Sequence, residues 1–223
     1  MINQKDFSLI KEWTEKNRPQ AEPDHQVERY AWLKKNAFGR LLSIGCGEAK
    51  VEEYLYIQDN GECDYSQPVC GADLNLDYLD SARTRWPNGQ FVKYDICNDY
   101  LNFPNEEFDT VVLGDVIEHI PPYYIHKLIS ESIRVSKKNF NILITTPNGD
   151  YFGDNNASSI YSSDHVVVMS QTVLRNILTP PPDALKWWVR DGRASHRFNY
   201  ACNMIMSASQ RFLFTQLTCK GEM

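Results

Sequence analysis

The hydrophobic pattern of the chain alternates between two periods. Short apolar runs typical of buried strands are separated by segments whose apolar residues recur every three or four positions, as on one helix face. The predicted strands cover 41–44, 69–73, 90–94, 108–113 and 141–145, and the helices between them cover 51–57, 76–86 and 121–136. Because strands and helices alternate, the pattern predicts an α/β fold with a doubly wound, mostly parallel sheet and right-handed crossovers.

Both ends of the chain add elements to this core. Two predicted helices, over 5–17 and 24–36, precede the first strand and must pack outside the sheet or over its carboxyl edge. The polar segment 149–164 is a long loop, and Ser170 can cap the helix that follows it. The last apolar runs fit an antiparallel hairpin at the C-terminus.

Composition limits the class of protein. With 223 residues, 42% of them hydrophobic, the chain can form one domain with a sizeable core. A net charge of −6 disfavours nucleic acid as the main partner. No apolar run approaches the roughly 20 residues of a membrane span, and the N-terminus lacks the apolar segment of a signal peptide. The six cysteines include no C-x-x-C pair, so we expect a soluble cytoplasmic protein with reduced thiols.

The first strand ends in a glycine turn, Gly45-Cys46-Gly47. The two glycines permit backbone conformations closed to other residues and let a ligand approach the main chain. The next helix then presents free N–H groups to the same crevice. A strand, a G-x-G turn and a helix are the usual opening unit of a nucleotide-type site, although the same unit is also an ordinary connection.

Acidic residues follow three other strands. Asp73, Asp95 and Asp115 stand at the ends of the second, third and fourth strands. The carboxyl ends of parallel strands form the usual ligand site of such a sheet. A carboxylate there can accept from two ribose hydroxyls, and another can accept from an exocyclic amine. Each acid alone is more often a helix cap or a turn residue, and it is the three acids together with the glycine turn that indicate a site.

Together these segments resemble the class I S-adenosylmethionine-dependent methyltransferases, particularly those acting on small molecules and sugars. The resemblance covers roughly residues 25–180 and implies a Rossmann-like sheet of seven strands in the order 3-2-1-4-5-7-6. It also implies N-terminal helices over the site. The matching segments are LLSIGCGEA, VCGADLNLDYLDSAR, FVKYDICND, FDTVVLGDVIEHIPP, NILITTPNG and DHVVVMSQTVLRNIL.

The resemblance implies S-adenosylmethionine as the cofactor and assigns residues to each of its parts. Asp73 would hold the ribose hydroxyls. The methionine part would lie along Gly45, Cys46, Gly47 and Gly114, and the adenine would contact Leu74, Asp95 and the backbone of Ile96.

Two positions depart from the family pattern. Ser43 stands where an acid is usual, and Ala49 stands where a third glycine is usual. Alanine is a small replacement that we expect to be tolerated. Loss of the acid removes an indirect anchor for the amino group of the cofactor, so we expect a modest affinity.

The acceptor is less constrained by the sequence. Transfer to a hydroxyl needs a group that removes its proton, and His119 and His165 are the candidate catalytic bases. The segment from His25 to Tyr30, which contains Arg29, resembles one found in methyltransferases of sugars, glycans and small metabolites. The favoured function is therefore O-methylation of a small-molecule or glycan-precursor acceptor, without a metal.

Two alternatives remain open. Asp115, Glu118, His119 and His165 resemble the metal-binding quartet of small-RNA 2′-O-methyltransferases, and carboxylates with imidazoles suit Mg²⁺ or Mn²⁺. The second alternative is a non-catalytic cofactor-binding partner subunit, for which the departure at Ser43 leaves room.

The predicted organisation is a single methyltransferase domain over 1–223. It divides into an N-terminal helical cap at 1–38, a cofactor-binding core at 39–148, and an acceptor-side loop, helix and strands at 149–223.

Overall fold

The computed structural model describes residues 4–17, 24–152, 166–167, 169–178, 201–206 and 212–219. The strands are β1 (Leu41–Ile44), β2 (Cys70–Asp73), β3 (Gln90–Lys93), β4 (Phe108–Gly114), β5 (Ser136–Pro147), β6 (Ala201–Met206) and β7 (Phe212–Cys219). The helices are α1 (Gln4–Asn17), α2 (Asp24–Asn36), α3 (Lys50–Leu55), α4 (Leu76–Arg85), α5 (Pro122–Val135), α6 (Gly149–Phe152) and α7 (Gln171–Leu178), with a 3₁₀ turn at Ile117–His119.

The described strands form one sheet in the order β3-β2-β1-β4-β5-β7-β6. The pairs from β3 to β5 are parallel. β7 runs antiparallel to both β5 and β6. The predicted α/β class, with a mostly parallel sheet and an antiparallel C-terminal pair, is confirmed. The carboxyl ends of β1, β2 and β4 therefore meet at one edge.

Alternation along the central strands covers both faces of the sheet. Val111 and Leu113 pack into a core with α5 and α7. Val112, between them, packs on the opposite face with side chains of α1, α2 and α3. Strands buried on both faces give the nearly continuous apolar runs from which the parallel sheet is predicted.

The N-terminal helices dock through aromatic contacts. Tyr30 of α2 stacks on Tyr54 of α3, with ring centroids 3.8 Å apart, and Trp32 stacks on Phe214 of β7 at 4.9 Å. Lys34 donates to the carbonyl oxygens of Leu55 and Ile57 at the end of α3. α2 is thus fixed against both α3 and the sheet.

Polar side chains cap two of the helices, and the cap predicted at Ser170 is confirmed. The side chain of Asn75 accepts from the backbone N–H groups of Asp77 and Tyr78, and that of Ser170 accepts from Val173. These bonds satisfy N–H groups that lack a partner within the helix.

Three predicted boundaries were wrong. β5 begins at Ser136, five residues before its predicted start at Asn141, and follows α5 without a loop. Lys138 and Asn139 are exposed in this strand, so its first part lacks an apolar pattern. α3 ends at Leu55 rather than at Ile57. Residues 149–152, predicted as loop, form α6, and most of the remaining predicted loop lies outside the described residues.

Among the helices that the structure describes, none combines the length and apolar character needed to cross a membrane.

Gly45→Ala is expected to destabilise the protein more than Gly61→Ala. Both glycines have positive φ, 69° and 77°, so alanine at either position incurs about 1–2 kcal/mol of left-handed strain. At Gly45 the added Cβ would also lie 2.4 Å from Cγ2 of Val116, whereas at Gly61 it would meet nothing within 4 Å. Such overpacking costs about 1–3 kcal/mol. Urea denaturation measures both free energies of unfolding, and equal losses would contradict this account of the turn.

Candidate active site

The glycine turn is held by the end of β2. The backbone N–H groups of Gly45 and Cys46 both donate to the carbonyl oxygen of Ala72, at 2.7 and 3.2 Å. The N–H of Gly47 donates to Oδ2 of Asp73 at 2.8 Å, and the N–H of Asn75 donates to Oδ1 of Asp73 at 2.8 Å. The structure thus brings together the turn and the acid that the sequence assigns to one site.

Open space borders this turn. A Cβ added at Gly47 would meet nothing within 4 Å, and one added at Gly114 would approach neighbouring atoms only to 3.9 Å. Leu74, which follows Asp73, is 57% exposed. These positions suit an elongated ligand lying over the ends of β1, β2 and β4, so the residues fit S-adenosylmethionine.

Cys46 and Ile96 turn their side chains away from solvent. Cys46 is 7% exposed and Ile96 is 8% exposed. Burial raises the pKa of the Cys46 thiol, and the charges of Glu52 and Asp73 raise it further. Cys46 is therefore a neutral packing residue, and only the backbone of these two residues is available to a ligand.

Asp95 lies in a turn beyond β3. Its Oδ2 accepts from the side-chain amide of Asn98 at 2.8 Å, and its Oδ1 accepts from the N–H of Cys97 at 2.9 Å. The bonds from Asn98 and Cys97 lower the pKa of Asp95. Asp95 is thus an ionised acceptor at neutral pH. Its predicted contact with adenine stays a prediction.

An ion pair joins α2 to the end of β4. The guanidinium of Arg29 pairs with the carboxylate of Asp115 and donates to the hydroxyl of Tyr30 at 2.7 Å. Thr145 donates to Oδ1 of Asp115 at 3.1 Å. Asp115 has φ 55°, a strained conformation for a residue with a side chain. These contacts place Arg29 and Tyr30 beside Gly114, at the edge where the cofactor is predicted.

The 3₁₀ turn after β4 carries Glu118 and His119. Glu118 is 2% exposed, and its Oε2 accepts from the hydroxyl of Thr146 at 3.1 Å. Burial raises the pKa of Glu118, whereas the neighbouring charge of His119 lowers it. His119 is half-buried, and its backbone N–H donates to the carbonyl oxygen of Val116. The second candidate base, His165, lies outside the described residues.

The proposed metal quartet is only partly described. Asp115 is engaged by Arg29 and Glu118 by Thr146. Within the described ranges, no group of three or more His, Cys, Asp or Glu side chains is arranged to hold a metal. The described part therefore gives no support to a metal at this position.

Three features of this region are not predicted from the sequence. Gly71 is one, since a Cβ there would lie 2.6 Å from Sγ of Cys46. The ion pair between Arg29 and Asp115 is another, because the sequence identifies Asp115 but gives no sign that Arg29 reaches it. Glu52 of α3 is the third, with 0% exposure, and in a short helix an acid gives no signal of burial.

Comparison with solved structures supports the fold. The PH0226 protein from Pyrococcus horikoshii OT3 superposes with a TM-score of 0.64 at 16% identity, over 93% of this chain and 96% of that chain. A TehB-like SAM-dependent methyltransferase from Corynebacterium glutamicum ATCC 13032 Kitasato gives 0.55 at 14% identity, over 96% and 98%. An O-methyltransferase family protein from Burkholderia thailandensis gives 0.63 at 12% identity, over 90% and 57%. At these identities the likeness shows the fold alone.

Comparison at the level of sequence identifies the family. No curated protein sequence matches the chain significantly. Residues 15–192, well over half of the chain, match the sequence model of the methyltransferase domain family. That match agrees with the glycine turn, with Asp73 and with the observed strand order. The chain belongs to the methyltransferase domain family and is a Rossmann-like, S-adenosylmethionine-dependent methyltransferase.

Proposed function

We propose that the enzyme methylates a hydroxyl group of a small molecule or glycan precursor, with His119 as the general base. The observation that carries the proposal is the position of His119. It is half-buried on the turn that follows β4, four residues beyond Asp115 and on the same sheet edge as Gly47. A base that acts on an acceptor must lie at the edge where the cofactor binds.

The cofactor-binding half of the site is organised by Asp73. Each of its carboxylate oxygens accepts one backbone N–H and keeps further lone-pair capacity. The two bonds fix the orientation of the carboxylate, so it is positioned to accept from ribose hydroxyls without reorganising. S-adenosylmethionine, when bound, supplies a methyl group already activated on a sulfonium. The protein's own task is then alignment, which contributes up to about 7–11 kcal/mol in well-oriented reactions.

The acceptor side favours a ring-bearing hydroxyl compound. Tyr123 and Tyr124 lie in the first turn of α5, a few residues beyond His119, with their ring centroids 4.4 Å apart, and Tyr123 is 73% exposed. Exposed aromatic faces suit the flat or apolar face of a ring. The Burkholderia thailandensis O-methyltransferase family protein shares the fold with a TM-score of 0.63, which agrees with a hydroxyl acceptor. The net charge of −6 disfavours nucleic acid.

Asp73→Ala is expected to weaken the stabilisation of the protein by S-adenosylhomocysteine, so that roughly 10- to 100-fold more ligand is needed for the same shift in Tm. Removing charge-assisted hydrogen bonds costs about 1.5–3 kcal/mol, or roughly 10- to 100-fold in affinity. Thermal unfolding with increasing S-adenosylhomocysteine measures the effect. Asp77→Ala is the control, because Asp77 is exposed on the first turn of α4. A ligand-induced shift in Tm equal to that of wild type in Asp73→Ala would show that Asp73 does not bind the cofactor.

His119→Gln is expected to lower kcat about 10²- to 10⁴-fold, the usual contribution of a general base, while leaving the S-adenosylhomocysteine-induced shift in Tm intact. Transfer of a labelled methyl group to a panel of hydroxylated metabolites and sugars is the assay. His126→Gln is the matched control, because His126 is exposed on α5. A wild-type rate in His119→Gln would overturn the role of His119 as the base.

Chelation distinguishes the proposed function from the alternative, a metal-dependent RNA ribose methyltransferase. Because Asp115 is paired with Arg29, we expect full activity in EDTA. Labelled-methyl transfer to the metabolite panel and to RNA, each with and without EDTA, is the measurement. Activity on RNA that EDTA abolishes and Mn²⁺ or Mg²⁺ restores would favour the alternative. S-adenosylhomocysteine binding without transfer to either panel would favour a non-catalytic subunit.

A further inference from the structure

A buried carboxyl group without a hydrogen-bond partner lies behind the glycine turn. Glu52 on α3 is 0% exposed. In the part of the chain that the structure describes, neither of its carboxylate oxygens has a hydrogen bond of acceptable geometry, and the same is true of Oγ of Ser43. Buried polar groups are almost always paired, so this pair of orphaned groups needs an explanation.

The surroundings of Glu52 place it close to the cofactor-binding turn. Ser43 is on β1, two residues before Gly45, and is near enough to Glu52 to favour its charged form. The negative charge of Glu52 also raises the pKa of the Cys46 thiol, which lies in the turn. Val51, its neighbour in the chain, lies 3.9 Å from the Cβ position of Gly114. Glu52 is therefore enclosed between the turn, β1 and α3.

The nearby cation is already engaged elsewhere. Arg85 of α4 pairs with Glu53 at 3.2 Å and donates to the carbonyl oxygen of Glu48 at 2.7 Å. The other titratable groups that face Glu52 are Glu53, Cys46 and Tyr56. Burial raises the pKa of Tyr56 to about 12, so Tyr56 is neutral at pH 7, as is Cys46. The described residues thus provide Glu52 with no dedicated counter-ion.

Burial is the largest influence on Glu52 and raises its pKa to about 7. An ionised carboxylate that is buried without a counter-ion is strongly unfavourable. The free protein therefore holds a proton on Glu52 in acidic solution and loses it near neutrality. A cation bound at the turn would favour the ionised form, by ordinary Coulomb attraction in a medium of low dielectric constant.

We propose that Glu52 is a positioning residue that replaces the acid missing at Ser43, and that it releases its proton when S-adenosylmethionine binds. The methionine part of the cofactor carries an ammonium and a sulfonium, and the predicted contact with Gly45, Cys46 and Gly47 brings it to the turn in front of Glu52. The proton passes to solvent, and the carboxylate stabilises the cationic ligand through the turn. After methyl transfer the sulfonium charge is gone, so S-adenosylhomocysteine retains less of this attraction and is released more readily.

The sign of the pH dependence follows from linkage. Because the cation lowers the pKa of Glu52 from about 7, affinity for S-adenosylmethionine rises as the pH increases toward 7 and levels off above it. The slope is at most about tenfold per pH unit, the limit for one linked proton. S-adenosylhomocysteine lacks the sulfonium charge and shows a smaller slope. This inference depends on the cofactor alone and is independent of the proposed hydroxyl acceptor.

Isothermal titration calorimetry of the full chain tests the proposal. Binding of S-adenosylmethionine and S-adenosylhomocysteine is measured from pH 5.5 to 8.5 in two buffers of different ionisation enthalpy, so that proton release is counted directly. Wild-type protein should release protons on binding S-adenosylmethionine and bind it more tightly with rising pH. Glu52→Gln should bind it about tenfold more weakly at pH 8, with a flat profile. Asp77→Asn removes an exposed acid on the first turn of α4 that does not influence Glu52, and it should keep the wild-type profile.

A second variant separates position from charge. Ser43→Asp combined with Glu52→Gln returns the acid to β1 and should restore affinity at pH 8 to within about threefold of wild type. If Glu52→Gln does not fold, proton release by wild-type protein on binding S-adenosylmethionine, compared with that on binding S-adenosylhomocysteine, still tests the proposal. Wild-type binding without proton release, or a wild-type pH profile in Glu52→Gln, overturns the proposal. Failure of wild-type protein to bind either ligand would instead contradict the assignment of cofactor.

Discussion

The hydrogen bonds between the end of β2 and the glycine turn are the constraint on which the site depends. Ala72 accepts from two consecutive N–H groups of the turn, and Asp73 accepts from a third. These bonds satisfy backbone groups that would otherwise be left without partners at the end of a buried strand. They also bring the acid of β2 against the glycines of β1. One set of contacts therefore closes the loop and orients the carboxylate that is predicted to bind ribose.

A second constraint ties the N-terminal helices to the same edge. Arg29 is 6% exposed and Asp115 is partly buried, and each is the charged partner of the other. Removing one member of a buried ion pair leaves an uncompensated charge, which costs about 3–5 kcal/mol. The stack of Tyr30 on Tyr54 continues this contact into α3. α2 is thus part of the site, because it reaches the end of β4 as well as covering the sheet.

The parts of this fold that sequence predicts are those with a local cause. Asn75 and Ser170 cap helices through contacts with residues only two or three positions away. The buried strands are recognisable in the sequence as apolar runs. The missed features depend on contacts distant in sequence. β5 was predicted too short because Lys138 and Asn139 interrupt its apolar pattern, although the strand continues through them. Gly71 is constrained by Cys46 across the sheet, and a single sequence does not reveal that pairing.

Glu52 shows why a departure from a family motif has to be judged in three dimensions. Ser43 alone suggests that an acid has been lost from β1. In the fold, an acid from α3 is buried close to the hydroxyl of Ser43, so the charge is displaced along the chain by nine residues and remains near the turn. Residues on β1 and on the first turns of α3 face each other across the glycine loop, and either can carry an acid behind it. The constraint set by a cationic cofactor is therefore the presence of a negative charge behind this turn, and the strand and the helix are alternative places for it.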